Sequence, residues 1–471
     1  MCRRILHKNT LILLCYLSID INLNNNTIEV GIFDCEVVHM SLLYALLSKL
    51  RNIIHSDEFF MRSRASESAF TRQRILGFVS TLTYILWCAK TSLPSTLRAF
   101  LEDCLGGKRS CTRQAFSKRR KLIKPEAFEE LFRMSAEFLA KNVRSSKEFL
   151  RILAIDGTKV NLLTHPELVQ KFGIQKGTGN LPQALISTLY DAVNRAVLDV
   201  QIRPHDGNER EMAMCHIERI KQLLGSQPYL LIFDRGYPSG ELVKLLIENH
   251  ILFLMRCPSE FIKGLDRKAA DAWFMHKFHS VKYALSFRVI RVPLPNGTEE
   301  ILCTNLPNEY SASEIKDLYL NRWKIEINYN FLKNRVQLEN LSGITYCAFM
   351  QHLYASLLMC NLCGAYYCDH SDYESEAGTA PKIKLRLNRE GKHQCEHACD
   401  RKINMATVLA AIRSILPRTL VFCNSRLKQF VDSIDVPRVK NILRYDKRDR
   451  NRPRLRIHPS LKFTQSQRAG F

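Results

Sequence analysis

The chain has 471 residues, with 69 Lys and Arg against 46 Asp and Glu, which gives a formal net charge of +23. The length allows two to four domains, and 46% hydrophobic residues are enough to fill real cores. This charge excess is too large for a typical soluble enzyme. It predicts a polyanionic partner, with nucleic acid first and an anionic membrane surface second.

Residues 1–39 differ in pattern from the rest of the chain, because an asparagine cluster interrupts them and no clear periodicity emerges. A helical pattern opens at Met40, so we treat 1–39 as a possible upstream extension. Residues 40–145 are predicted to be an all-helical DNA-binding domain, with Pro125 in the first turn of its last helix. The segment 106–124 holds eight Lys and Arg and no acid. The alternative is a helical scaffold that only packs on the next domain.

The periodicity changes at Phe149, within a domain predicted to begin at 146. An apolar strand is predicted to end at Asp156, a hairpin comes next with its turn near 192–194, and a second apolar strand ends at Asp234. These elements make 146–257 the first part of an α/β core. Residues 258–306 are predicted to be a β-rich insertion, and 307–368 the second part of the core.

The rest of the chain is predicted to be a loop at 369–400, then C-terminal helices and a basic tail at 401–471. The tail from 438 onward holds eleven Lys and Arg against two acids. Three apolar stretches, at 10–19, 75–89 and 341–368, are short or interrupted, so we predict buried helices and no membrane span.

The 16 cysteines follow no disulfide framework, which favours reduced thiols in a cytoplasmic protein. Cys360 and Cys363 form a CxxC, and Cys395, His397 and Cys399 lie further on, so a zinc site is conceivable. We favour buried cysteines in an apolar helix for the first pair.

The stretch "YLNRWKIEINYNFLK" carries four functional side chains at helical spacing. On one straight helix, Tyr319, Arg322, Glu326 and Lys333 share an arc of about 60° at ~100° per residue. One acid beside an arginine, a lysine and a phenol suits phosphate contacts around a metal-bound carboxylate. An ordinary salt bridge between Arg322 and Glu326 is the alternative, and this stretch alone leaves both open.

The two predicted strand-end aspartates decide between these alternatives. Functional groups in α/β sheets are displayed where strands end, although an Asp beside Gly is also a common turn former. Together Asp156, Asp234 and Glu326 form a set of carboxylates that suits two hard cations.

On these residues the sequence resembles the DDE transposases of bacterial insertion sequences, in the tyrosine–arginine–glutamate–lysine (YREK) class of the insertion sequence four family. The spacing Y-x2-R-x3-E-x6-K is complete. "LAIDGT" and "IFDRGYPS" are similar to the two aspartate boxes, and "STLYDAVNRAVLD", "ERE", "TNL", "FTRQR" and "QAFSKRR" also match. The resemblance extends from about 67 to 456.

The resemblance implies an α/β fold, with a ribonuclease-H-like catalytic core, a β-rich insertion, a preceding all-helical DNA-binding domain and C-terminal helices. Asp156, Asp234 and Glu326 would be the catalytic residues and the ligands of two Mg²⁺ ions, for which Mn²⁺ substitutes.

The resemblance also implies that Tyr319, Arg322 and Lys333 bind DNA phosphates. Arg235 and Tyr237 would contact DNA or fix the turn beside Asp234. Related enzymes flip a base onto an aromatic residue of the insertion. Trp273 is the candidate, and a core tryptophan beside Phe274 is the alternative.

The implied reaction is hydrolysis at the terminal inverted repeats and then joining of the 3′-hydroxyl to target DNA. The partner would be double-stranded DNA, bound by a homodimer, in a cytoplasmic, nucleoid-associated bacterial protein. A transposase-derived DNA-binding protein or relic without transposition activity is the main alternative. A generic metal nuclease, which cleaves without joining strands, is a third.

Overall fold

The computed structural model describes residues 41–72, 74–87, 93–105, 110–143, 151–175, 180–262, 270–293, 298–341, 343–370, 403–422 and 426–434. It describes the main chain alone at 18–22, 27–31, 384–387, 393–396, 401–402 and 438–440. Near the N-terminus, β1 (Ser18–Asn22) and β2 (Thr27–Gly31) form an antiparallel hairpin. The extension hypothesis for 1–39 stays a prediction.

The predicted helical region contains six described helices, α1 (Leu42–Ile54), α2 (Asp57–Ser63), α3 (Phe78–Trp87), α4 (Leu93–Leu105), α5 (Arg113–Arg120) and α6 (Pro125–Asn142). Ser41 caps α1 by accepting a hydrogen bond from the Tyr44 N–H, and Pro125 begins α6 as predicted.

The basic helix α5 does not present all of its charge to solvent. The Arg120 side chain is buried, and its guanidinium donates to Gln351 Oε1 at 2.6 Å and to the Ala348 carbonyl at 2.9 Å. These contacts fit the alternative prediction, in which the helical region is a scaffold that packs on the core. The DNA-binding role of this region stays a prediction.

An eight-stranded sheet forms the centre of the fold. Its strands are β3 (Arg151–Asn161), β4 (Gln183–Asp191), β5 (Ala196–Pro204), β6 (Tyr229–Phe233), β7 (Leu252–Cys257), β8 (Asp271–His276), β9 (Leu285–Pro293) and β10 (Glu299–Thr304). Their spatial order is β5-β4-β3-β6-β7-β10-β9-β8. Only the pairs β3–β6 and β6–β7 are parallel; the other pairs in this sheet are antiparallel.

Helices connect the strands of the sheet where parallel pairing requires a crossover. After β3 comes α7 (Pro166–Phe172), then α8 (Glu209–Leu224) leads from β5 to β6, and α9 (Gly240–Glu248) leads from β6 to β7. The predicted hairpin has its turn at 192–195. All nine residues of β4 are buried, as expected for a strand covered on both faces.

The β-rich insertion continues the same sheet. Its last strand, β10, pairs antiparallel with β7, and β9 and β8 lie next to it toward the sheet edge. Three strands therefore extend the core and do not fold as a separate layer.

The second part of the core is helical: α10 (Ala312–Leu320), α11 (Trp323–Phe331), a π-helical segment (Leu332–Val336) and α12 (Tyr346–His370). Helix α12 is buried on almost every face, because the sheet and the helices α1, α3 and α6 pack around it. Cys360 and Cys363 are buried inside it, as favoured from the sequence. The side chains of Cys395, His397 and Cys399 lie outside the described residues. Among the described helices, none has the length and apolarity to cross a bilayer.

Beyond α12, β11 (Lys384–Leu387) and β12 (His393–Glu396) pair within the segment expected to be a loop. The strands β13 (Arg401–Ile403) and β14 (Arg438–Lys440) also pair. Between them lie α13 (Met405–Val421) and α14 (Leu427–Asp432), which match the predicted C-terminal helices. Most of the basic tail, 441–471, lies outside the described residues.

Candidate active site

The two predicted aspartates lie side by side at one edge of the sheet. The last parallel pair between β3 and β6 joins Ile155 to Phe233, and Asp156 and Asp234 are the next residues on the two strands. Asp234 directly follows its strand, as predicted. The prediction that a strand ends at Asp156 is wrong, because β3 continues to Asn161 through its antiparallel pairing with β4.

Tyr329 fixes the position of α11 on the sheet. Its buried hydroxyl donates to the main-chain carbonyl of Asp156 and lies 2.9 Å from Thr188 Oγ1 on β4. Glu326 precedes Tyr329 by three residues, which puts both on the same face of the helix. The third predicted carboxylate is therefore directed to the edge that holds the two aspartates.

The row of functional side chains does not lie on one straight helix, so that part of the prediction is wrong. Helix α10 ends at Leu320, and the N–H groups of Asn321 and Arg322 bond to carbonyls three residues earlier. Helix α11 then begins at Trp323, and the chain widens into the π-helical segment at Leu332. The predicted arc of about 60° requires a constant angle of ~100° per residue. The helix break at Asn321 and the π-helical segment both change that angle.

Arg322 connects two of the three carboxylates. Its Nη1 lies 2.6 Å from Glu326 Oε1 and 3.5 Å from Asp234 Oδ2, and its side chain is 4% exposed. Burial lowers the pKa of Arg322, but the bond to Glu326 and the charge of Asp234 outweigh it, so the net pKa is raised. The salt bridge considered as an alternative is thus present, and it brings Glu326 toward Asp234.

Tyr319 lies beside this arginine. Its ring is buried, and the ring centroid lies 6.0 Å from Arg322 Cζ. Its hydroxyl has no hydrogen-bond partner among the described residues. Burial raises the pKa of Tyr319, and Arg322 partly offsets this.

Lys333 lies farther along the sheet. Its Nζ donates to the Lys159 carbonyl at 2.6 Å and lies 3.9 Å from Glu339 Oε1. Lys159 follows Asp156 by three residues, about 10 Å along a strand at ~3.3 Å per residue. Burial lowers the pKa of Lys333. Lys333 therefore contacts the main chain of β3 and the side chain of Glu339. Among the described residues it forms no ion pair with Asp156, Asp234 or Glu326.

The remaining predicted contacts differ in exposure. Arg235 is exposed beside Asp234, whose Oδ1 accepts the Arg235 N–H at 2.6 Å. Tyr237 is buried, which favours the turn-fixing alternative, and its DNA contact stays a prediction. Trp273 is 44% exposed on the edge strand β8, so its placement in the core is wrong; its Nε1 donates to Asn308.

A fourth carboxylate lies in the site. Burial raises the pKa of Asp156 to about 7; a hydrogen bond from the Gly157 N–H opposes this, and the charges of Glu209 and then Asp234 add to it. Glu209 begins α8, so it comes from an element remote in sequence. The signal available in the sequence was the "ERE" stretch, which is part of the family resemblance but by itself indicates no role.

The donor set suits a hard divalent cation. Asp156, Asp234 and Glu326 offer only carboxylate oxygens, which Mg²⁺ and Mn²⁺ prefer, and Arg322 supplies positive charge at the same place. In the described part of the chain, no three His, Cys, Asp or Glu side chains are close enough to hold a metal ion. The chemistry of the three carboxylates therefore fits a divalent cation. In this structure, Glu326 instead forms an ion pair with the Arg322 guanidinium.

Comparison with known proteins gives a match to a family model and a similar solved structure. Residues 147–362, which contain the two aspartates and Glu326, match the family model described as transposase DDE domain. No curated protein matches the chain. Among solved structures, the chain is similar to the piggyBac transposase synaptic complex with hairpin DNA, studied by cryo-EM. The identity is 9% and the TM-score 0.46, over 86% of this chain and 87% of that chain.

Proposed function

We propose that the chain is a DNA transposase that uses Asp156, Asp234 and Glu326 to cut phosphodiesters at the ends of its element and join the 3′-hydroxyl to target DNA. The observation that carries the proposal is that Arg322 pairs with both Asp234 and Glu326 at the sheet edge where Asp156 and Asp234 lie on neighbouring strands, inside the segment that matches the transposase DDE domain. The order β5-β4-β3-β6-β7 supports the ribonuclease-H-like assignment.

The three carboxylates would hold two divalent cations, Mg²⁺ or Mn²⁺. When bound, these ions lower the pKa of an attacking water or 3′-hydroxyl and offset charge on the phosphodiester. Asp156 lies beside Asp234 on the neighbouring strand, and together with Glu326 these two aspartates would supply the carboxylate oxygens that hold the ions.

Arg322 would keep the acids together before the cations bind. Without counter-charge, Asp234 and Glu326 would repel each other in a partly buried place, and the shared guanidinium removes that repulsion. Arg322 would also donate to a DNA phosphate, for which its planar fork is suited. Tyr319, whose hydroxyl has no partner among the described residues, would add a second contact.

Double-stranded DNA is the proposed partner. The net charge of +23 and the exposed Arg210 and Arg235 beside the acids supply the positive field that a phosphate backbone requires. Because two transposon ends must be processed together, a homodimer on DNA is part of the proposal. The proposal also assigns the chain to the YREK class of the insertion sequence four family. It further includes a bacterial, nucleoid-associated location.

A strand-transfer assay tests the proposal. Purified protein with Mg²⁺ is mixed with linear DNA that ends in the sequences flanking the gene, and with a plasmid target. The wild type is expected to join the 3′ ends to the plasmid, and Glu326→Gln is expected to lose joining. Asp317→Asn, which removes an exposed acid from α10, serves as the control and keeps activity.

Two other outcomes would contradict the proposal. Specific binding of the end sequences without cleavage would identify a transposase-derived DNA-binding protein. Cleavage of unrelated DNA without joining would identify a generic metal nuclease.

A further inference from the structure

Three side chains of the β-rich insertion face the linker between β10 and α10 (residues 305–310). Trp273 on β8 and Arg288 on β9 are directly paired across the two strands, and Asp271 lies two residues before Trp273. Directly paired residues point to the same face of a sheet, and so do residues two apart along a strand, so all three share one face. The linker lies against this face, where Trp273 Nε1 donates to Asn308 Oδ1 at 2.8 Å.

Arg288 holds the linker on the insertion. Its Nη1 donates to the main-chain carbonyls of Pro307 and Tyr310, both at 2.9 Å. Its Nε and Nη2 donate to the Asp271 carboxylate at 2.7 and 2.5 Å, so the ion pair fixes the plane of the guanidinium. The Arg288 side chain is buried, and its planar guanidinium makes all four bonds at once, which a lysine ammonium with three donors cannot do.

The "TNL" stretch holds the other end of the linker on the core sheet. Thr304 Oγ1 donates to the Phe253 carbonyl at 2.6 Å. The Asn305 side chain accepts from the Phe253 N–H at 2.9 Å and donates to the Ile251 carbonyl at 2.8 Å. These contacts fix where the linker leaves the core, whereas Arg288 fixes where it reaches α10.

The end of the linker sets the position of α10. Ser311 directly follows Tyr310 and caps α10, where it forms a capping box with Glu314. Arg322 follows this nine-residue helix and begins α11 as its cap. A helix this short moves as one body, so a shift of its first turn would change the distance between Arg322 and Asp234. Displacements of about 1 Å are enough to slow a reaction that depends on the positions of several groups.

We propose that Arg288 is a positioning residue for the reaction: it holds the start of α10 on the insertion and thereby places Arg322 and Glu326 relative to the aspartates of the core strands. Arg288 acts through the two linker carbonyls, and Asp271 orients it for these bonds. This inference rests on the proposed function. It gives the β-rich insertion a part in arranging the active site, separate from any contact with DNA.

Amide hydrogen exchange of the DNA-free protein tests the contact with the linker independently of activity. Exchange is followed by mass spectrometry in peptides that cover α10, for the wild type, Arg288→Met and the control Arg291→Met. Arg291 lies on the same strand, forms an ion pair with Glu299 and points to the opposite face, so the control removes the same charge and one ion pair.

Arg288→Met is expected to raise the exchange rate of α10 about tenfold or more, whereas Arg291→Met is expected to leave it within about threefold of the wild type. Exchange of α10 at the wild-type rate in folded Arg288→Met would overturn the inference.

Single-turnover cleavage of DNA that carries the element ends tests the consequence for the reaction, with DNA affinity measured in parallel. Arg288→Met is expected to cleave about tenfold or more slowly while its DNA affinity stays within about twofold of the wild type. Arg291→Met is expected to match the wild type in both. Cleavage by Arg288→Met at the control rate, or a loss that weaker DNA binding explains, would overturn the inference and leave the proposed function intact. Failure of the wild type to cleave would overturn both.

Arg288→Lys is a second variant that keeps the positive charge beside Asp271. Because the ion pair is retained, this variant tests the inference even if methionine at 288 prevents folding. The ammonium cannot reach the carboxylate and both linker carbonyls in one plane, so we expect cleavage about threefold or more slower than in the wild type, with DNA affinity unchanged. Cleavage by Arg288→Lys at the wild-type rate would show that the ion pair is sufficient and would overturn the role of the linker carbonyls.

Discussion

Asp156→Asn is expected to stabilise the metal-free protein at alkaline pH while removing a residue of the proposed site. Burial raises the pKa of Asp156 from its ordinary value of 3.8 to about 7. The folded state therefore keeps a proton that the unfolded chain releases, so stability is lost as the pH rises through this interval. At about 1.4 kcal/mol for each tenfold change in proton affinity, the full cost is at most about 4.5 kcal/mol.

Urea unfolding in EDTA at pH 5 and pH 8.5 measures this effect. The advantage of Asp156→Asn over the wild type is expected to grow by about 2–3 kcal/mol between the two pH values, because much of the titration lies in that interval. Asp317→Asn, at an exposed position, is expected to show no such growth. An advantage of Asp156→Asn that does not change with pH would refute the assignment of this cost to Asp156.

Three further predictions concern Arg322, Tyr329 and Trp273. Arg322→Ala is expected to destabilise the metal-free protein by about 3 kcal/mol in urea unfolding, because it leaves two carboxylates without their shared partner. Added Mn²⁺ should reduce that loss, and a loss insensitive to Mn²⁺ would contradict it. Tyr329→Phe is expected to cost about 1–2 kcal/mol and to slow strand transfer without changing DNA affinity in a gel-shift assay, since its hydroxyl holds α11 on Asp156; unchanged joining would contradict this. Trp273→Ala is expected to change stability by less than about 1 kcal/mol, because the ring is exposed, but to reduce processing of the DNA ends if the ring receives a flipped base; unaltered processing would remove Trp273 from that role.

The sequence was informative about the local positions of the acids. The apolar run before Asp234 identifies a buried strand, and its end is visible in the Gly and Pro that come next. The extent of β3 was not visible, because "GTKVN" is polar and is held in the sheet by pairing with β4. Strand propensity alone does not report such long-range pairing.

The helix that carries Glu326 shows the same limit. The spacing of the four functional residues identified the helix, but its break at Asn321 and its π-helical end depend on tertiary contacts. Tyr329, which bonds to the Asp156 main chain across 173 residues, and Glu209, which covers Gly157, came from the fold. Residues remote in sequence meet only through the sheet topology, and no local pattern records that meeting.

The joining of β10 to β7 is a further example. The β-rich insertion predicted at 258–306 does contain strands, yet the sequence did not distinguish a separate β-rich layer from an extension of the core sheet. That choice depends on which edge of the core is free to accept a strand, and this is settled by the order of all eight strands.

The most direct test of the shared cation site is single-turnover cleavage of DNA that carries the element ends by Asp156→Asn, Asp234→Asn and Glu326→Gln, with DNA affinity measured in parallel. Each variant is expected to bind the ends as the wild type does and to lose cleavage by about a thousandfold or more, since all three carboxylates would serve the same cations. Cleavage near the wild-type rate in any one of the three would contradict the shared site.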